Sequence, residues 1–240
     1  MSDDKKPHSH GKHPDGVSTY PADAHDMATY GIAQQAMAKM PVPVFQHAGN
    51  PHERIFIAAF DGTWNDAIND PHHLTNVGQL RNQILELKER NPDAPIDVAY
   101  VKGVGTQDNF IERTFDGAFG YTYDQRLEEM YDKLTKQAAI WLERDPQAQI
   151  RVAEIGFSRG AEQAAGFARM LHERGIQDPD GRREVRGEDG RIHVEYTKPP
   201  LVAPGMTPQA AGLFDPVGTG EPRNHDRRLP PSVVSGFQIM

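Results

Sequence analysis

Gln149-Ile150-Arg151-Val152-Ala153-Glu154-Ile155-Gly156-Phe157-Ser158-Arg159-Gly160-Ala161 is an apolar run that breaks at a glycine-flanked serine and continues into an alanine-rich segment reaching Arg174. Strand, tight turn and helix with a serine at the apex is the sequence form of a nucleophile elbow. A serine Oγ on so sharp a turn needs strained backbone, and the neighbours of that backbone must not collide with it. Gly156 and Gly160, two residues to either side, carry no Cβ. The helix that follows offers free N–H groups and the positive end of its dipole to a developing negative charge. Ala161, Ala164, Ala165 and Ala168 predict close approach to a sheet, with Phe167 and Leu171 filling the space beyond. Gly175 follows in the usual place of a left-handed helix cap.

Outward from that stretch the chain alternates. Arg54–Phe60 is nearly all apolar, as a strand covered on both faces should be, and it runs into Asp61-Gly62-Thr63-Trp64-Asn65. Thr75 is the expected N-cap of a helix whose buried stripe is Val77, Leu80, Ile84 and Leu87. A second strand over Asp97–Val101 ends in Gly103-Val104-Gly105-Thr106. Gly103-Val104-Gly105 half-matches a phosphate-binding loop but lacks the third glycine and the Lys-Ser/Thr pair. An aromatic loop holding Phe110, Phe115, Phe119, Tyr121 and Tyr123 leads to a helix predicted over Asp124–Arg144. It either lines a binding mouth or packs on itself. Residues 177–208 read as a polar insertion with a surface hairpin around the turn signal Glu188-Asp189-Gly190, its arms marked by Val185 and by the alternation of Ile192–Tyr196. Ala211–Phe214 is one more short strand, delivering Asp215 after the serine in chain order. This order predicts an α/β fold with a mostly parallel sheet flanked by helices and right-handed crossovers.

Composition narrows the chemistry. The 240 residues suit one α/β domain, and the 37% hydrophobic content points to polar tails or long loops diluting a core. A net charge of −8 speaks against a nucleic-acid partner. No cysteine is present, so disulfides, cysteine-ligated zinc and thiol catalysis are excluded. No window approaches the roughly 18 apolar residues of a membrane span, and the start of the chain lacks the apolar core of a secretory signal peptide. Residues 1–50 read as a polar, largely disordered leader containing His8, His10 and His13, with a short helix marked by Met27, Tyr30, Ala33, Met37 and Met40. Residues 51–240 form the expected folded domain.

Five ordered blocks resemble the α/β-hydrolase-like family that includes type VI secretion phospholipase effectors. They are Phe60–Asn65, Thr75-Asn76-Val77, Gly103–Thr106, Gly156–Ala161 and Leu213–Gly218. Proline stands in the last block where threonine is usual. The resemblance implies a serine-nucleophile lipolytic hydrolase acting on the acyl esters of phospholipid at a membrane surface, without cofactor or metal. Ser158 is then the nucleophile and Asp215 the triad acid. It also implies release from the producing cytoplasm into a target cell by a type VI system, with a secretion-apparatus adaptor and an immunity protein as partners. The elbow itself expects the oxyanion to be held by the backbone N–H of Arg159 and by one from Gly62 or Thr63. The family's catalytic histidine stands well after the acid, whereas this sequence stops at Met240, so an incomplete domain is expected. His225, the only histidine after Asp215, is expected to be a surface residue. Two other classes stay open: a metal-dependent phosphohydrolase using Asp61, and a non-catalytic remnant that binds lipid or a partner.

Overall fold

A computed structural model describes residues 21–39, 42–63, 65–103, 116–187, 192–218 and 228–239. The chain divides into two compact units, Met1–Val42 and Pro43–Met240. The first contains helix α1, Ala24–Ala38. It begins where Asp23 Oδ1 accepts from the amides of His25 and Asp26, at 2.7 and 3.0 Å. Met27 and Tyr30, which mark this helix in the sequence, are exposed. The division falls earlier than the expected leader boundary at residue 50. Within the second unit, His47 Nδ1 bonds Glu53 Oε1 at 2.8 Å and so ties the 43–50 stretch to the first strand.

That unit runs β1 (Glu53–Phe60), α2 (Asn76–Arg90), β2 (Ile96–Val101), α3 (Asp116–Arg144), β3 (Gln149–Phe157) and α4 (Arg159–Arg174). The hairpin strands β4 (Arg182–Arg186) and β5 (Ile192–Tyr196) follow, then β6 (Gln209–Phe214) and β7 (Val233–Ile239). Five strands pair in the order β2-β1-β3-β6-β7, every pairing parallel, while β4 and β5 make a separate antiparallel pair. The expected α/β architecture is therefore present, with β3 at its centre.

Side-chain alternation divides the core between the two faces of the sheet. Phe56, Ala58 and Phe60 of β1 with Ile150 and Val152 of β3 pack against Leu127, Met130, Tyr131 and Leu134 of α3 and the small face of α4. Ala161, Ala164 and Ala168 are fully buried, as are Phe167 and Leu171. On the opposite face Ala59 and Tyr100 pack with Val77 of α2. Thr75 caps α2, its Oγ1 accepting from Gly78 N at 3.1 Å. Leu87, expected on the buried stripe, is 45% exposed because the stripe ends at Ile84.

Two elements differ from the sequence reading. Helix α3 starts at Asp116 rather than Asp124. Gly117 and Gly120 lower helix propensity by about 1 kcal/mol each but leave the hydrogen-bond ladder intact. Strand β7, which the sequence reading did not assign, adds an edge to the sheet, and Phe237 lies against Phe214 with ring centroids 5.6 Å apart. Gly212 makes room for that ring, since a Cβ there would stand 2.8 Å from Phe237 Cζ. Gly175 ends α4 with φ +66° and ψ −157°, a conformation open to glycine but outside the left-handed helical region expected of the cap, and its amide donates to Leu171 O.

Glu154 is fully buried in the middle of β3, and neither carboxyl oxygen meets a hydrogen-bond partner from another residue. Burial raises its proton affinity well above the ordinary carboxyl value of 4.5. The sign follows from linkage: the folded protein holds a proton that the unfolded chain releases above about pH 4.5, so stability falls as pH rises toward the folded value. Glu154→Gln should abolish that decline, which has a limiting slope of about 1.4 kcal/mol per pH unit. Urea unfolding of parent and variant at several pH values between about 5 and 8 measures it, and parallel stability profiles would contradict the assignment.

Candidate active site

The carboxyl ends of β1, β3 and β6 meet at one rim of the sheet, where ligands of open parallel sheets bind. Ser158 stands at the end of β3 with φ 54° and ψ −122°, a combination costly for any side-chain-bearing residue. It is half-buried, and its hydroxyl makes no capping bond to α4. Its amide donates to Phe214 O at 2.9 Å, and its carbonyl accepts from Ala161 N at 3.1 Å and Val217 N at 3.3 Å. The turn is thus stitched to the end of β6.

Glycines allow the approach. A Cβ on Gly156 would lie 2.3 Å from Gly160 O, and one on Gly160 would lie 2.3 Å from Phe60 O and 2.6 Å from Asp61 O. Gly62 faces the Phe157 ring, where an added Cβ would come within 2.6 Å. Gly103 is tighter still, its missing Cβ falling 1.6 Å from Gly62 O. The Gly103 amide donates to Asn65 O at 2.8 Å, so its absent side chain serves loop-to-loop packing. Gly105 and Thr106 of the half-matching phosphate loop lie outside the described residues.

Asp61 braces the loop after β1. It is 2% exposed. Oδ1 accepts from Gly62 N at 2.9 Å and Thr75 Oγ1 at 2.8 Å, and Oδ2 accepts from Tyr100 OH at 2.6 Å. The Tyr100 oxygen in turn accepts from Ala67 N at 2.9 Å. Burial, and after it the adjacent Asp61 carboxylate, hold the phenol well above its ordinary range. The Gly62 amide is committed to this brace, whereas the Thr63 amide has no hydrogen-bond partner among the described residues. The side chain of Thr63 accepts from Arg159 Nε, clasping the loop to the first residue of α4. Burial lowers the proton affinity of the Arg159 guanidinium, against the opposing charge of Glu162.

Asp215 closes the rim on the far side. It follows β6, has φ 43°, is exposed, and donates its amide to Ile239 O at 2.6 Å. The structure therefore brings Gly62, Thr63, Ser158, Arg159 and Asp215 to the same end of the sheet. Among the described residues no histidine bonds the side chain of Ser158 or Asp215, and His225 lies outside them. So do Trp64 and the residues 104–115 of the aromatic loop; Tyr123 at its end donates to Glu162 O at 3.4 Å. No cluster of three or more His, Cys, Asp or Glu side chains suited to a metal occurs among the described residues. No described helix is long and apolar enough to cross a membrane. A serine–histidine contact does exist at the opposite rim, where His172 Nδ1 lies 2.9 Å from Ser232 Oγ. Ser232 there also accepts from Gln209 Nε2 at 2.6 Å on ordinary backbone, so the contact ties α4 to the start of β7 and, through Gln209, to the start of β6.

The family described as the type VI secretion (T6SS) phospholipase effector Tle1-like catalytic domain matches residues 54–196, a span holding Ser158 but not Asp215. Among solved structures, the Tle1 effector bound to the VgrG spike of the type 6 secretion system aligns over 92% of this chain and 49% of its own. Identity is 16% and the TM-score 0.42. An uncharacterized protein from Pseudomonas aeruginosa aligns over 87% of this chain and 35% of its own, with 18% identity and a TM-score of 0.32. The chain thus spans about half the length of the first and about a third of the second. No curated protein matches it.

The closeness of the rim can be tested without activity. Gly160→Ala should cost about 1–3 kcal/mol of stability, because its neighbours are backbone atoms that cannot turn aside. Gly49→Ala, with nothing within 4 Å, should stay within about 0.5 kcal/mol of the parent. Equal denaturation midpoints for the two variants would refute the packing described.

Proposed function

The chain belongs to the T6SS Tle1-like phospholipase effector family, within its catalytic domain, and on that premise we propose that it hydrolyses phospholipid acyl esters through Ser158. The observation that carries the reading is the strained backbone of Ser158, which holds a hydroxyl at the head of α4 without committing it to the helix cap. Ser158 Oγ attacks the ester carbonyl, and its proton passes to a histidine oriented by Asp215. The oxyanion is met by the N–H of Arg159, in a helical first turn whose amides lack intrahelical acceptors. The second donor is the N–H of Thr63, since that of Gly62 is turned to Asp61. Collapse of the tetrahedral intermediate returns the proton to the leaving alkoxide, and water then releases the fatty acid.

Asp61 supports this division of labour. Its two oxygens receive three hydrogen bonds in a buried setting, the arrangement of a brace rather than of an exposed phosphate-attacking nucleophile. Export through the type VI apparatus with an adaptor, action in a recipient cell, and restraint by an immunity protein complete the proposal.

In a preparation active on phospholipid vesicles, Ser158→Ala should lower fatty-acid release by at least about 10³-fold while leaving the thermal melt unchanged. His225→Ala, assayed beside it, should leave most of the release intact. Equal release by the Ser158 variant and its parent would remove Ser158 from the mechanism.

A further inference from the structure

Helix α3 carries an arginine where its neighbours are apolar. Arg126 lies beside Leu127 of the core and is 8% exposed, yet its Nη2 has no hydrogen-bond partner. Its Nε reaches Gln163 Oε1 of α4 at 3.5 Å, a long contact to a side chain that is itself 4% exposed. Gln163 stands one helical turn, about 5.4 Å, beyond Arg159, on the same side of α4. The two guanidiniums are within electrostatic reach of each other, and burial lowers the proton affinity of both. A carboxylate acts on each charge, Glu129 on Arg126 and Glu162 on Arg159, and Glu129 is shared with Lys133 Nζ at 2.6 Å. The Nη2 of Arg126 is left without a partner near the first turn of α4, which begins directly after Ser158.

A buried guanidinium with an idle Nη2 is costly unless an anion fills the place. Its fork matches two oxygens of a phosphate, and a guanidinium keeps its charge where an ammonium would lose it. In a glycerophospholipid only the glycerol backbone separates the ester carbonyl from the phosphodiester. Resting on the Ser158 reading, we propose that Arg126 and Arg159 form a subsite for the phosphodiester of the substrate, selecting phosphate-bearing esters over neutral glycerides. Arg159 would serve twice, its amide toward the oxyanion and its guanidinium toward the headgroup, with Thr63 fixing its Nε.

The test has a binding arm and a kinetic arm. In the Ser158→Ala chain, inorganic phosphate at matched ionic strength should raise the melting temperature relative to chloride. A short-chain phosphatidylglycerol should do so where the corresponding diacylglycerol does not. Arg126→Met should weaken both effects at least about tenfold in midpoint concentration, and Arg126→Lys should restore part of them. In active protein, Arg126→Met should lower the ratio of kcat/KM for phospholipid over diacylglycerol by about tenfold or more. No phosphate-dependent stabilisation of the Ser158→Ala chain, or an equal kinetic loss on both substrates, would overturn the subsite. Stabilisation by free phosphate with no preference for the phosphatidyl lipid would overturn the headgroup assignment. Retained hydrolysis by Ser158→Ala together with Arg126-dependent phosphate binding would defeat the catalytic reading and leave the anion subsite standing.

Discussion

Backbone approaching backbone at the carboxyl ends of β1 and β3 is the constraint on which the rest depends. The amide of Ser158 is held by Phe214 O, and the turn closes onto Phe60 and Asp61 through Gly160. With no Cβ at Gly156 or Gly160, α4 starts immediately after the strand, and the serine is left at a positive φ. Strain of this kind, of order 1–3 kcal/mol, persists only when the surroundings over-determine it. Here the surroundings are three strand ends, a short-side-chained helix and two committed carbonyls.

Polar burial around that rim follows a division. The Asp61 carboxylate is saturated by Gly62, Thr75 and Tyr100, so the loop after β1 is fixed from below and Thr63 is presented above it. Arg126 is buried and incompletely bonded, while burial of Glu154, deeper in the sheet, raises its proton affinity. Saturated groups build the scaffold. The incompletely bonded Arg126 is the group to which the proposed phosphodiester subsite assigns the substrate's charge.

Much of this was legible in residue order. The apolar runs of β1 and β3, the Thr75 cap, the alanines of α4 and the position of Asp215 after a strand all follow from periodicity and capping chemistry. Other features depend on pairings between distant residues. Tyr100 reads as a strand aromatic, and nothing local shows that its hydroxyl meets Asp61 thirty-nine positions away. Gly103 looked like half of a phosphate loop, whereas its missing side chain admits the Gly62 carbonyl. Arg126 and Glu154 read as ordinary helix and strand charges, because burial of a charged residue is a tertiary fact. The start of α3 was hidden by two glycines that the helix runs through, and β7 by a polar connection that gives no strand signal.

The central claim is that the hydroxyl at residue 158 is the group that attacks an ester. Peptide mapping after reaction with a long-chain fluorophosphonate, in protein that releases fatty acid, tests it most directly. The account predicts one adduct, on Ser158, within the tryptic fragment Val152–Arg159. An adduct on another serine, such as Ser232, with residue 158 unmodified as hydrolysis is lost, would contradict it.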